Sequence, residues 1–178
     1  MAEEKKEPWL NYLALTTIIL AVCATLSTFK GGGFSTRSVL SQTQASDLWA
    51  FYQAKSIKGY IIETQKDKLE LELLSINGKA DSAAREGYDR KIAAYTGKIA
   101  KYDGEKAQLE KDARKLEAVR DDAQKHSQAF GIAVIFLQIA ILLSSIAALM
   151  KKKYIWLLGV GVGVVGIFYF IDGFLLFI

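Results

Sequence analysis

The chain is poor in the side chains from which most catalytic and metal centres are built. Its 178 residues include one cysteine, one histidine and one proline. The single cysteine, Cys23, excludes an internal disulfide and any metal site made of several cysteines. The single histidine, His126, has no second histidine or carboxylate cluster at metal-ligand spacing, and phosphate loops, nucleophile elbows and zinc motifs are absent. We therefore predict that the protein is not an enzyme and has no catalytic residue, metal or cofactor.

A segregated basic surface is also missing. Lysine and arginine number 23 against 19 aspartates and glutamates, and both signs are interspersed along residues 30–128. Recognition of nucleic acid needs a basic patch or stripe, so we predict no nucleic-acid partner. Mixed charges of this kind are typical of solvated helical faces.

Long apolar runs are abundant instead. Residues 9–29 and 129–150 carry no formal charge, and residues 154–178 carry only Asp172. A bilayer core of roughly 30 Å needs about 20 apolar residues in helical form, and in lipid a helix satisfies its own backbone hydrogen bonds. The sequence therefore predicts an all-α membrane protein with transmembrane helices at 9–29, 129–150 and 154–178.

Lysines in the short segments predict the orientation. Lys5 and Lys6 lie in the tail 1–8, and the loop 151–153 consists of three lysines. Short loops rich in lysine stay in the cytoplasm, which puts the long central section and the C-terminus outside, in the periplasm if the chain is bacterial. Membrane lipids are the expected direct partners.

The central section has the repeat of a coiled coil. From residue 88 onward, apolar residues follow alternating steps of four and three. The apolar seam comprises Tyr88, Ile92, Tyr95, Ile99, Tyr102, Leu109 and Leu116. A looser stripe marks residues 42–76, and Asn77-Gly78 predicts a turn at 77–80. Residues 42–128 are therefore predicted to form a long antiparallel coiled-coil hairpin between the first and second spans.

A glycine run separates the first span from this hairpin. Gly31, Gly32 and Gly33 are predicted to break the helix that leaves the membrane. The two predicted arms, residues 42–76 and 81–126, differ in length by about 17 Å at 1.5 Å per helical residue. We assign residues 30–41 to a glycine-rich linker that spans this difference.

Two features predict self-association. Tyrosine rings are bulky for a two-stranded core, so the tyrosine-rich seam favours several hairpins packing together in a homo-oligomer. In the third span, Gly159 and Gly163 have the small-residue spacing that lets membrane helices approach closely. That spacing is stronger evidence for helix packing in general than for self-association.

The block Leu48-Trp49-Ala50-Phe51-Tyr52-Gln53-Ala54-Lys55-Ser56-Ile57-Lys58 resembles a bacterial inner-membrane family known only as a domain of unknown function. Its members share an N-terminal span, a similar Trp-Ala-x-Tyr-Gln-Ala-Lys-Ser-Ile-Lys segment, a helical middle and two C-terminal spans. The resemblance covers essentially the whole chain. It implies this topology and an inner-membrane setting, and it brings no activity or catalytic residue.

The same block permits two physical interpretations. Trp49, Tyr52, Gln53, Lys55 and Lys58 could form a recognition or lipid-headgroup patch near the membrane, where aromatic residues and lysines are common. Alternatively, Trp49 and Tyr52 pack against the returning arm of the hairpin. The sequence does not decide between them.

Two functions remain compatible with these features. The first is a non-enzymatic, homo-oligomeric scaffold, or an accessory to another membrane protein, that projects hairpins from the membrane. The alternative is an oligomeric channel or transport component whose third spans and Asp172 line a pathway, because ionisable residues inside a membrane are often functional. Asp172 also lies near the end of its span, which equally suits a position at the membrane interface.

Overall fold

Three α-helices make up the structure. The computed structural model describes residues 8–76 and 82–177, and within them the helices are α1 (Pro8–Ser75), α2 (Ser82–Met150) and α3 (Lys153–Leu175). No strand occurs in these two ranges. Each helix contains a stretch long and apolar enough to cross a membrane. The prediction of an all-α membrane protein is confirmed, whereas the predicted turn at 77–80 and most of the tail 1–8 lie outside the described residues.

The chain divides into two compact units. The membrane unit comprises the residues up to Leu40 and those from Val119 onward, and the hairpin unit is Ser41–Ala118. The helices α1 and α2 each contribute a segment to both units, and α3 belongs to the membrane unit alone. The predicted hairpin, residues 42–128, begins close to this boundary and extends ten residues beyond it.

The predicted linker at 30–41 is wrong, because α1 continues through it without a break. Each glycine weakens a helix by only about 1 kcal/mol relative to alanine, which is too little to end a helix of this length. Gly31 instead permits a close approach, since a Cβ there would lie 3.0 Å from the Phe130 Cβ. Its carbonyl also accepts a hydrogen bond from the Ser127 hydroxyl at 3.1 Å. The twelve residues extend α1 by about 18 Å, so helix rather than linker accounts for the difference in arm length.

Small residues hold the three helices of the membrane unit together. Its core contains Leu20, Ala24, Ala133, Leu137 and Ala140, all less than a tenth exposed. On α3, Gly159, Gly163, Gly166 and Gly173 are buried. Lipid tails are as apolar as these side chains, so helices in a membrane associate mainly through close van der Waals packing, and glycine allows the closest approach.

The connection between α2 and α3 is short. Lys151 has a left-handed backbone with φ 49°, and the Lys152 N–H donates to the Ala147 carbonyl at 3.1 Å. Hydrogen bonds of this pattern close the C-terminus of a helix and reverse the chain direction. The predicted basic loop 151–153 is therefore present, although Lys153 already begins α3.

The hairpin unit pairs α1 and α2 along heptad-spaced faces. On α1, one face of half-buried or buried residues consists of Ser41, Ala45, Leu48, Tyr52, Lys55, Gly59, Ile62, Lys66, Leu69, Leu73 and Ile76. All nine heptad positions of α2 from Tyr88 to Leu116 are likewise buried or half-buried. Trp49 contacts Glu117, and Tyr88 contacts Glu72. Residues earlier in the α1 arm therefore pair with residues later in the α2 arm, as in an antiparallel hairpin. The predicted antiparallel coiled-coil hairpin is confirmed.

Candidate functional site

The predicted assembly seam faces α1 within a single chain. Tyr88, Tyr95 and Tyr102 are half-buried, and the Lys55 ammonium lies 5.4 Å from the centre of the Tyr102 ring. Ile92, Ile99, Leu109 and Leu116 share this half-buried face. The bulky rings therefore fill the hairpin itself, and a role of these residues in self-association stays a prediction.

Trp49 is engaged by the returning arm on several sides. Its indole N–H donates to the Glu117 Oε1 at 2.9 Å, and the Arg114 guanidinium lies 5.9 Å from the ring. Within α1 itself, the Tyr52 ring also meets the indole edge-on at 5.5 Å between ring centres. These contacts correspond to the packing interpretation of the block at 48–58. A recognition role would then depend on the outward-facing members of the block, of which Gln53 and Lys58 are exposed.

Among the described residues of the hairpin unit, Lys55 forms the closest ion pair. Its ammonium lies 2.5 Å from the Glu105 Oε2, and both side chains are about one-third exposed. The hydrogen bond and charge of Lys55, helped by the charges of Lys101 and Lys58, lower the pKa of Glu105 below its ordinary value. Lys58 thus contributes to the field at Glu105 although its own side chain faces outward.

This ion pair predicts a mild loss of hairpin stability in acid. The depressed pKa of Glu105 means that the stabilisation is present above the unfolded-state value of about 4.3 and disappears as pH falls through the lower folded-state value. Thermal unfolding of the full chain, followed by far-UV circular dichroism between pH 7 and pH 3, should show this decline. Lys55→Gln should make it shallower, and an unchanged pH profile in that variant would contradict the assignment.

A second stripe, largely apolar, runs along the opposite face of the α1 arm. Ala50, Ala54, Ile57, Ile61 and Leu71 are exposed on heptad positions, and Thr64 and Lys68 occupy the two positions between Ile61 and Leu71. Six large apolar side chains of this arm, namely Phe51, Ile57, Tyr60, Ile61, Leu71 and Leu74, are each more than half exposed. By contrast, no large apolar side chain is exposed in residues 82–118 of α2. We call the outward face of α1 between Ala50 and Leu74 the outer stripe.

Asp172 is buried at the end of α3. The residue is only 4% exposed, and its carboxylate Oδ1 accepts the Phe177 N–H at 2.9 Å. Its backbone carbonyl accepts the Leu176 N–H at 2.8 Å, where the backbone turns left-handed with φ 47°. Asp172 therefore helps to close the C-terminus of the helix. Its predicted place on a conduction pathway remains untested.

His126 lies beside this helix end, a contact that sequence reasoning missed. Its Nδ1 is 2.8 Å from the Gly173 carbonyl oxygen, and its Nε2 is 3.9 Å from the Asp122 carboxylate. The Phe34 ring stacks on the imidazole at 4.4 Å between ring centres. The chain separates His126 from Gly173 by 47 residues, and no local pattern signals such a contact.

The two glycines assigned to assembly pack within the chain. A Cβ on Gly159 would lie 3.2 Å from the Ala140 carbonyl oxygen, and one on Gly163 would lie 2.9 Å from a Leu20 methyl group. Gly163 therefore faces both α1 and α2, and Gly159 faces α2. The small-residue spacing is used for packing inside one protomer, and self-association through these glycines stays a prediction.

Comparison with known proteins gives a family and no activity. In residues 8–76 and 82–177, no group of three or more histidine, cysteine, aspartate or glutamate side chains is placed to hold a metal ion. No curated protein and no solved structure matches the chain significantly. A family described as a domain of unknown function, DUF4337, matches residues 9–176. Because this match covers nearly the whole sequence, the chain belongs to the DUF4337 family.

Proposed function

We propose that the protein is a non-enzymatic scaffold or accessory protein of the bacterial inner membrane that works as a homo-oligomer. In this proposal the spans anchor the chain, and the hairpin unit extends outside the membrane and associates with another copy. The outer stripe of α1 is the observation that carries it. Without a partner, this stripe leaves a heptad-spaced apolar face in water.

The exposed side chains of the outer stripe support an interaction surface. Ile57, Ile61 and Leu71 lie on the heptad positions of the stripe, with Tyr60 and Leu74 beside them, and each is more than half exposed. Exposed groups of large apolar side chains on soluble surfaces often mark binding sites. Standard interfaces bury about 800 Å² on each partner. Ile57 and Ile61 lie at the centre of the stripe, where burial contributes most to affinity.

The asymmetry between the two arms favours a second copy joined by two-fold symmetry. A head-to-tail ring would press the outer stripe against the α2 arm, which exposes no large apolar side chain between residues 82 and 118. A two-fold contact pairs the same face of α1 on both subunits and so buries apolar surface on both sides. Lys68, with a side chain 76% exposed, falls on this heptad and would fix the register, as polar residues do in coiled-coil seams.

The proposed orientation rests on charge. The tail with Lys5 and Lys6 and the loop at 151–153 lie in the cytoplasm, because short lysine-rich segments are retained there. The hairpin unit and the C-terminus then lie in the periplasm. Cysteine labelling with an impermeant reagent, after Cys23 is replaced by serine and single cysteines are introduced at exposed Ala93 and at Lys152, distinguishes this orientation from its inverse.

A double substitution in the outer stripe tests assembly. Ile57→Asn with Ile61→Asn should weaken association at least a hundredfold, because burying each isoleucine contributes about 1.5–3 kcal/mol on each subunit. Native mass spectrometry of the full chain in mild detergent should give a closed oligomer for the unaltered protein and a monomer for the variant.

The matched control keeps the surface apolar. Ile57→Leu with Ile61→Leu preserves the apolar character and volume of the stripe and should retain most of the oligomer. An unaltered chain that remains monomeric at micromolar concentration would contradict self-assembly. Co-purification with one stoichiometric membrane protein instead would assign the outer stripe to that partner and would also overturn the homo-oligomer.

The channel alternative has less support. A pathway lined by Asp172 requires its carboxylate to face water between subunits, yet the residue is 4% exposed within one chain. Its carboxylate also bonds to the Phe177 amide. No described contact requires a polar axis among the third spans, so the scaffold is the better-supported function.

A further inference from the structure

A groove of mixed polarity lies between α2 and α3 in the membrane unit. This open groove has a volume of about 620 Å³, within the usual size range of small-ligand sites. The α2 side includes Asp122, Lys125, Gln128 and Ile132, and the α3 side includes Tyr169 and Asp172. Charged, amide, phenolic and aliphatic groups thus converge on one space within a single chain.

The groove lies where α2 enters the membrane. Lys125 is the last residue of α2 with a full formal charge, and the chain then carries no lysine, arginine, aspartate or glutamate until after Met150. Asp122 and Ile132 are about 15 Å apart along the helix axis. Over this distance the lining changes from charged to aliphatic, as a bilayer does between its headgroups and its acyl chains.

The charged side chains that line the groove indicate which kind of ligand it can bind. One ammonium, from Lys125, faces a groove that also contains the carboxylates of Asp122 and Asp172. A purely anionic ligand would meet two carboxylates, and a simple cation would meet the lysine. A ligand that carries both charges can place a phosphate near Lys125 and an ammonium near the carboxylates, where charge-assisted hydrogen bonds are strong.

From this arrangement we propose that the groove binds a zwitterionic phospholipid with a primary amine, of the phosphatidylethanolamine type. A primary ammonium donates three hydrogen bonds, for which the two carboxylates and the Gln128 amide oxygen are suitable acceptors. A quaternary ammonium donates none and fits less well. The acyl chains continue along Ile132 into the bilayer.

The depth of Asp172 strengthens the preference for an amine. The residue is only 4% exposed, and its Oδ1 also accepts the Phe177 N–H. The attraction of such a buried carboxylate for a nearby ammonium is screened less than that of a surface carboxylate. Tyr169 lies one helical turn away on the same helix and also lines the groove. The site lies within one protomer and does not depend on the proposed assembly.

Lipid retention by the full-length protein tests this proposal. The protein in mild detergent is mixed with equal amounts of dioleoyl phosphatidylethanolamine, phosphatidylcholine and phosphatidylglycerol, and native mass spectrometry measures each bound lipid. Phosphatidylethanolamine should be retained at least fivefold over the other two. Lys125→Gln and Asp122→Asn should each reduce this preference by threefold or more.

Asp121→Asn is the matched control, because Asp121 is adjacent in sequence, is exposed and pairs with Arg120 instead of lining the groove. It should leave retention unchanged, and all variants should keep the far-UV circular dichroism of the parent. Equal retention of the three lipids, or a preference for phosphatidylglycerol, would overturn the proposal. Full displacement of bound lipid by soluble glycerophosphoethanolamine would overturn the assignment to a lipid, since only the headgroup would then be recognised.

Discussion

Gly166→Ala is expected to lower the stability of the membrane unit by about 1–3 kcal/mol, the usual range for overpacking. A Cβ at this position would lie 2.8 Å from the Leu137 Cγ and 3.0 Å from the Leu137 backbone nitrogen. Leu137 is completely buried, and a helix backbone cannot move aside as a side-chain tip can. The two helices must therefore separate, which weakens contacts along their whole interface.

Thermal unfolding in detergent measures this effect, followed by the fluorescence of Trp9 and Trp156 in a Trp49→Phe background. Trp156 contacts both Trp9 and Thr16 of α1, so its emission should respond when the helices separate. Gly161→Ala is the matched control, because a Cβ there meets nothing within 4 Å and alanine favours the helix slightly. Equal melting temperatures for the two variants would show that α2 and α3 do not pack as described.

The hairpin could be predicted from the sequence because its signal is local and periodic. The steps of four and three from Tyr88 to Leu116 define one face of a helix wherever the helix lies, and the structure has that face half-buried. The spans were predictable for a similar reason, since length and apolarity alone decide whether a helix can cross a bilayer. These inferences needed no knowledge of which helix contacts which.

The prediction of a linker at 30–41 was wrong because the three glycines were interpreted from helix propensity alone. Propensity is a weak prior that packing overrides, and Gly31 faces the Phe130 side chain across a tight helix contact. The length difference between the two arms pointed to the right answer, because residues 30–41 as a helix span about the length by which the α1 arm was too short. An uninterrupted α1 satisfies both observations.

The environment of Asp172 could not have been predicted. Its burial depends on the register between α2 and α3, which packing of Gly166 against Leu137 and of Gly173 against the Phe130 ring determines. These contacts join residues far apart in the chain, and glycine carries no hydrophobic signal. The outer stripe, by contrast, could have been found in the sequence, because Ile57, Ile61 and Leu71 follow the same heptad spacing as the first seam.

Tyr95→Ala with Ile99→Ala should loosen the hairpin unit itself. Both residues are half-buried on the seam that faces α1, and truncating them removes roughly 3 kcal/mol of apolar burial and packing. Because the proposed place of this unit is outside the membrane, the expected loss includes the hydrophobic effect as well as van der Waals contacts. Backbone amides of residues 82–118 that exchange by opening of the hairpin should exchange with solvent roughly a hundredfold faster, as measured by hydrogen–deuterium exchange mass spectrometry of the full chain.

Comparing this variant with the outer-stripe variant separates effects on folding from effects on assembly. Ile57→Asn with Ile61→Asn changes side chains that are 60% and 53% exposed in one chain, so, compared as monomers in dilute detergent, it should leave amide protection in the hairpin close to that of the parent. The seam variant should instead lose protection at every protein concentration. If the outer-stripe substitutions reduced monomer protection as much as the seam substitutions, the outer stripe would be part of the hairpin core. The two heptad faces of α1 would then have been assigned the wrong way round.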